Sequence, residues 1–157
     1  MISQISPLPD FLINKYNIWK SDSFQKNQDH FRKLASVGQK PSSMVISCCD
    51  SRVHVTSIFG VDEGEFFIHR NIANLVPPFS HDKDNPGTSA ALEYAIKVLK
   101  VRHLIVLGHS DCGGIKGGYN LHSNNGNSNF EFINKWLNIL LPAFNKIEKN
   151  ISIEKQM

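Results

Sequence analysis

Residues 88–112 read TSAALEYAIKVLKVRHLIVLGHSDC, and the change of period inside this stretch decides the fold. From Thr88 to Lys100, the residues Ala91, Leu92, Ala95, Ile96 and Leu99 form an apolar stripe at helical spacing, which predicts a helix over 88–100. Thr88 or Ser89 can cap its start. Leu104, Ile105, Val106 and Leu107 then run together before Gly108, which predicts a short buried strand over His103–Leu107.

Two similar apolar runs lie upstream, Met44–Cys48 after Pro41 and Glu65–His69, the second changing character at Arg70–Asn71. Strand, helix and strand in this rhythm predict an α/β fold, a mainly parallel central sheet flanked by helices. Ahead of the sheet, Phe11, Leu12, Tyr16 and Trp19 recur at helical spacing, as do Phe24, Phe31 and Leu34 before Gly38 and Pro41. Two N-terminal helices follow, their aromatics read as packing surface against this domain or a partner subunit. Pro77–Pro78 with residues 80–87 and the Asn-, Ser- and Gly-rich stretch 119–129 read as loops. Residues 130–149 read as a last helix, Phe132, Trp136, Leu140 and Phe144 spaced four apart, broken by Pro142.

A chain of 157 residues is expected to form one domain, 1–157. Its net charge of +3 is dispersed, so nucleic acid is not an expected partner. No apolar stretch reaches membrane-spanning length, and the N-terminus lacks the basic and apolar regions of a secretory leader. Three cysteines do not make a disulfide framework, so a reducing cytoplasm with metal-ligand thiols is the expectation.

Cys48 and Asp50 lie at the end of the first strand, His109 and Cys112 just after the third. Open α/β sheets bind ligands at the carboxyl ends of their strands, so these pairs can meet. Two thiolates, an imidazole and a carboxylate suit Zn²⁺. Alternation along an extended segment puts Cys48 and Asp50 on one face, with Arg52 to follow, and turns Cys49 away. A helix starting after Gly108 would bring His109 and Cys112 to one side, and its amides would favour the Cys112 thiolate. Gly113 and Gly114 leave room for backbone to approach the ion or a small substrate. Singly, each feature has a simpler explanation: a lone Cys is commonly a buried apolar side chain, and a lone His one of seven surface or core histidines. His69 is a rival ligand whose simpler reading is a hydrogen-bonded residue near the site, and Asp111 is read as facing away. Asp50 on zinc would close the site, whereas Arg52 can hold that carboxylate off the metal by paired hydrogen bonds. Three protein ligands then leave a position for water, which suits hydrolytic or hydration chemistry.

The motifs Cys48-Cys49-Asp50-Ser51-Arg52-Val53, His69-Arg70-Asn71-Ile72-Ala73-Asn74 and Gly108-His109-Ser110-Asp111-Cys112-Gly113-Gly114 resemble those of the β-class carbonic anhydrases, with Gly87-Thr88-Ser89-Ala90-Ala91 at the intervening helix start. The resemblance runs from about Phe11 to Ile147 and is densest over 44–76 and 87–118. It implies Cys48, His109 and Cys112 as ligands of one Zn²⁺, with Asp50 a fourth ligand in a closed form and the partner of Arg52 in an open form. It implies reversible hydration of CO₂ to bicarbonate, with Asp50 and Arg52 catalytic and Gly113 near substrate. It also implies a homodimer or multiple of dimers, with N-terminal helices lying over the partner. Cys49 stands where many members have Ser, and Asp62 where plant-type members carry a Gln that meets substrate. The chain ends at Met157, where the family usually continues through a further strand and helices, so an open sheet edge and low stability are expected. Two alternatives stand beside the enzyme: a non-catalytic zinc-binding domain, and a hydrolase of a CO₂ analogue such as carbon disulfide or carbonyl sulfide. A nucleotide-binding protein is disfavoured, because no Gly-x-Gly-x-x-Gly follows a predicted strand.

Overall fold

The computed structural model describes residues 7–79, 86–123 and 129–147, and the chain divides after Gln39 into two compact units. In the first, α1 (Asp10–Trp19) continues through a π-helical turn, Lys20–Phe24, before α2 (Gln28–Val37). Gly38 stops α2 at φ 74°, a conformation that costs glycine little. Trp19, Phe24 and Phe31 form an aromatic cluster, with ring centroids 5.3 Å apart for Phe24 and Phe31 and 5.5 Å for Trp19 and Phe24. The helical periods are as expected, but the stripe is not buried in this chain: Phe11, Leu12, Tyr16 and Trp19 are exposed, and Phe24, Phe31 and Leu34 half-buried.

The second unit is built on three parallel strands in the order β2-β1-β3: β1 (Ser43–Cys48), β2 (Phe66–Asn71) and β3 (His103–Leu107). In register, Ile46 stands beside His69 and Val106, and Ser47 beside Arg70 and Leu107. β1 is buried along its whole length. As the middle strand it is paired on both edges and covered on both faces, which is why SMVISC reads as nearly continuous apolar sequence. β2 runs two residues beyond the sequence expectation, so Arg70 and Asn71 belong to the strand.

β3 departs from the buried strand expected of it. Among the described residues it pairs only with β1, and Leu104 and Val106 are 50% and 54% exposed. Sheet order, which the apolar run does not encode, puts β3 at the margin of the described sheet. The helix before it starts at Pro86, earlier than expected, as α4 (Pro86–Glu93), and then widens into a π-helical turn, Tyr94–Leu99. Thr88 therefore lies inside the first turns and is not a cap. The wider turn shifts the helical phase: Ala95 is buried against Met44 and Ile46, with Ala91 and Leu92 beside it, while Ile96 faces outward.

The remaining helices are α3 (Val55–Phe59), α5 (Gly113–His122), α6 (Glu131–Leu137) and α7 (Leu141–Phe144). α5 carries Tyr119–His122, part of the expected 119–129 loop, while 124–128 lie outside the described residues, as do 80–85 of the other loop and 148–149 of the expected last helix. That last helix breaks earlier than Pro142, at a tighter turn over Asn138–Leu140. Pro142 sits in the first turn of α7, where its missing N–H has no intrahelical partner to lose. Leu137 of α6 packs with Ala73, Leu75, Cys48 and Cys112, joined at the margin by Ile115 and Trp136. This cluster lies at the carboxyl end of the sheet and supports the site from below. Among the described residues no helix is long and apolar enough to cross a membrane.

Candidate metal centre

Cys48, His109 and Cys112, separated by about sixty residues of sequence, come together where β1 and β3 end. One donor atom from each lies within 4.8 Å of the others. The Cys48 and Cys112 sulfurs are 3.8 Å apart, both residues buried. His109 Nε2 is buried and has no hydrogen-bond partner among the described residues. A buried imidazole nitrogen is rarely left unpaired, and one beside two converging thiols is accounted for by a cation. Two soft sulfurs and one nitrogen in a compact group fit Zn²⁺ rather than Mg²⁺ or Ca²⁺, which take oxygen ligands.

The upstream turn is held by side-chain hydrogen bonds. Arg52 donates to Asp50 from its own backbone N–H (2.9 Å to Oδ1), from Nε (2.9 Å to Oδ1) and from Nη2 (2.8 Å to Oδ2). These bonds, those of the side chain first, hold the Asp50 carboxyl well below the usual carboxylate range. Asp50 stands outside the donor trio; its Oδ2 is 4.0 Å from His109 Nε2. Beneath the turn, Arg70 of β2 donates to three carbonyl oxygens, Cys48 (2.9 Å), Asp50 (2.8 Å) and Val53 (2.7 Å). Alternation along the strand is as expected, with Cys49 exposed and Cys48 buried. Burial opposes ionisation of Cys48, but the backbone amide of Asp50, His109 and the amide of Ala73 outweigh it, and the thiol falls below its ordinary value.

The downstream turn is built differently. Residues between His109 and Cys112 are not helical: Asp111 takes φ 53°, and Cys112, at φ −67° and ψ 115°, stands at the N-cap of α5. A left-handed turn, not the expected helix, brings His109 and Cys112 to one side. Burial pushes the Cys112 thiol up, opposed by the amides of Ile115 and Gly114 at the start of α5. Gly114 lies against the β2–α4 connection, where a Cβ would stand 2.8 Å from Ala73 Cβ and 3.2 Å from Ala73 N. Ala73 is itself at φ 64° and fully buried, and the Trp136 indole N–H donates to Ile72 O at 2.8 Å.

Other residues singled out from the sequence lie apart from the trio. His69 Nε2 is 3.0 Å from Thr88 Oγ1, which also accepts from Asn71 Nδ2 at 3.3 Å. Asp111 is exposed, its carboxylate 3.3 Å from Lys116 Nζ. Gly113 opens α5 with nothing within 4 Å of an added Cβ. Asp62 is exposed in the turn before β2. Arg70 escaped the sequence reading as a site residue. The hints were its place in the His69–Asn74 motif and a cation at the end of an apolar strand, where an unpartnered charge is costly.

Residues 43–157 match the family model described as carbonic anhydrase. The chain is 43% identical over 141 residues to Beta carbonic anhydrase 3 of Arabidopsis thaliana, covering 88% of this chain and 54% of that protein. Among solved structures it is similar to the β-carbonic anhydrase CcaA (29% identity, TM-score 0.80, 94% of this chain and 65% of that one). It is also similar to a tetrameric β-carbonic anhydrase from the filamentous ascomycete Sordaria macrospora (31%, TM-score 0.73, 94% and 71%). The chain thus spans little more than half the length of the Arabidopsis relative, 54%.

Proposed function

The chain belongs to the β-carbonic anhydrase family, and from that premise we propose that it catalyses the reversible hydration of CO₂ to bicarbonate and a proton, with one Zn²⁺ per chain. The observation that carries this reading is the division of donors: Cys48, His109 and Cys112 converge, while both oxygens of Asp50 are taken by Arg52. When bound in a site with three protein ligands, zinc supplies a Lewis acid that acidifies a water in the remaining position. Cys48 and Cys112 contribute as thiolates and His109 through Nε2. Asp50, ionised and facing His109, accepts a hydrogen bond from the O–H of the reacting water and so orients it. Arg52 keeps Asp50 from becoming a fourth ligand.

A purely structural zinc site favours four protein ligands, and Asp50 on Arg52 does not supply the fourth. No observation favours a CO₂ analogue as substrate. We read 1–157 as a single domain, Gly113 as the residue bordering the substrate, and the protein as a cytoplasmic homodimer or multiple of dimers. Three free cysteines support the compartment. The exposed apolar residues of α1, with Phe11 60% and Tyr16 56% exposed, support a partner over those helices.

Stopped-flow CO₂ hydration on the zinc-loaded protein is the test. A rate no better than buffer, with one zinc bound per chain, would sink the proposal. Cys48→Ser is expected to remove metal and activity together. Arg52→Ala is expected to keep zinc but lose activity, as Asp50 becomes free to coordinate.

A further inference from the structure

Among the described residues, four other than glycine hold a positive φ: Ala73, Asn74, Lys100 and Asp111. Only Asp111 lies in the short turn between the two downstream donors, His109 and Cys112. The left-handed region is unfavourable for any residue with a Cβ, and least so for Asn and Asp. At φ 53° this one residue turns the chain from His109 to Cys112. Its carbonyl oxygen accepts from Arg52 Nη2 at 3.0 Å, and that same nitrogen donates to Asp50 Oδ2 at 2.8 Å. A single guanidinium nitrogen therefore ties the two turns together. The Asp111 carboxylate contributes little, since its contact with Lys116 joins two exposed side chains.

We propose that Asp111 is a positioning residue whose left-handed backbone seats Cys112 beside Cys48 and presents a carbonyl to Arg52, so that the place of Cys112 and the pairing of Asp50 with Arg52 are mechanically linked. The proposal rests on the metal reading above. It assigns the role to the backbone of Asp111, not to its charge.

The test compares Asp111→Asn, Asp111→Gly and Asp111→Val in the full chain. Zinc affinity is measured by chelator competition and ligand geometry by visible absorption of the Co²⁺-loaded protein. Asn and Gly accept positive φ, so both variants should bind zinc within about twofold of the unaltered chain and keep its Co²⁺ spectrum. Val does not, and should bind about tenfold more weakly with a shifted spectrum. If Val prevents folding, Asp111→Ala carries the same comparison with about a threefold loss. Equal affinity and spectrum for the Gly and Val variants, or a Gly variant as weak as Val, would overturn the proposal. An unaltered chain that binds no zinc would instead overturn the metal reading.

Discussion

The two turns that carry the donor residues solve one problem by different means. The upstream turn, 48–53, hangs from side-chain donors: Arg70 grips three of its carbonyls from below, and Arg52 grips Asp50 from above. The downstream turn, 109–114, depends on backbone shape and on close contact, with Asp111 at φ 53° and Gly114 pressed against Ala73. The first is loosened chiefly by removing hydrogen bonds; the second, which takes one side-chain hydrogen bond from Arg52, is loosened chiefly by adding atoms or forbidding a conformation. Ligands brought from distant parts of a chain need not share a mode of support, because each turn meets different neighbours.

Zinc removal should have the largest effect, since the ion would bridge both turns. At free zinc a thousand times Kd the holo-protein is expected to gain about 4 kcal/mol over the apo-protein. Hydrogen exchange should then rise more in 109–114 than in 48–53, where Arg70 still holds the backbone. Equal loss of protection in both would erase the distinction. Next, Arg70→Met takes a donor from three carbonyl oxygens, of which Asp50 O keeps the Val53 N–H, and should cost about 2–3 kcal/mol in urea unfolding. A loss below about 1 kcal/mol would show that water replaces the guanidinium. Gly114→Ala should cost about 1–3 kcal/mol, because the added methyl meets Ala73 backbone as well as its Cβ. Smallest is Gly118→Ala, whose added methyl would overlap Leu140 Cδ1, the end of a flexible side chain. The thermal midpoint should show a loss of less than about 1.5 kcal/mol, and a larger one would mean that Leu140 is locked by its neighbours.

Much of the site was legible in the sequence because its signals are local. Apolar runs located all three strands to within two residues. Period-two alternation separated buried Cys48 from exposed Cys49, and Asp50 and Arg52, two residues apart, could be paired by reach alone. What escaped depends on neighbours distant in sequence. Arg70 matters only because β2 lies beside β1 in a register that places it under the 48–53 turn. Thr88 reads as a cap until His69 and Asn71 arrive beside it from another strand. The exposure of Leu104 and Val106, which share one face of β3, depends on what packs over that face and not on the apolar run itself.

The sequence by itself determined which residues are chemically able to bind a metal, and that they sit at strand ends, because ligand type and hydrophobic period are properties of short segments. Only the tertiary structure decided that the Arg52 guanidinium also reaches the Asp111 carbonyl, that Arg70 carries the 48–53 turn, and that β3 pairs only with β1 among the described residues. Those outcomes are set by contacts between turns and strands far apart in the chain, and no local pattern contains them.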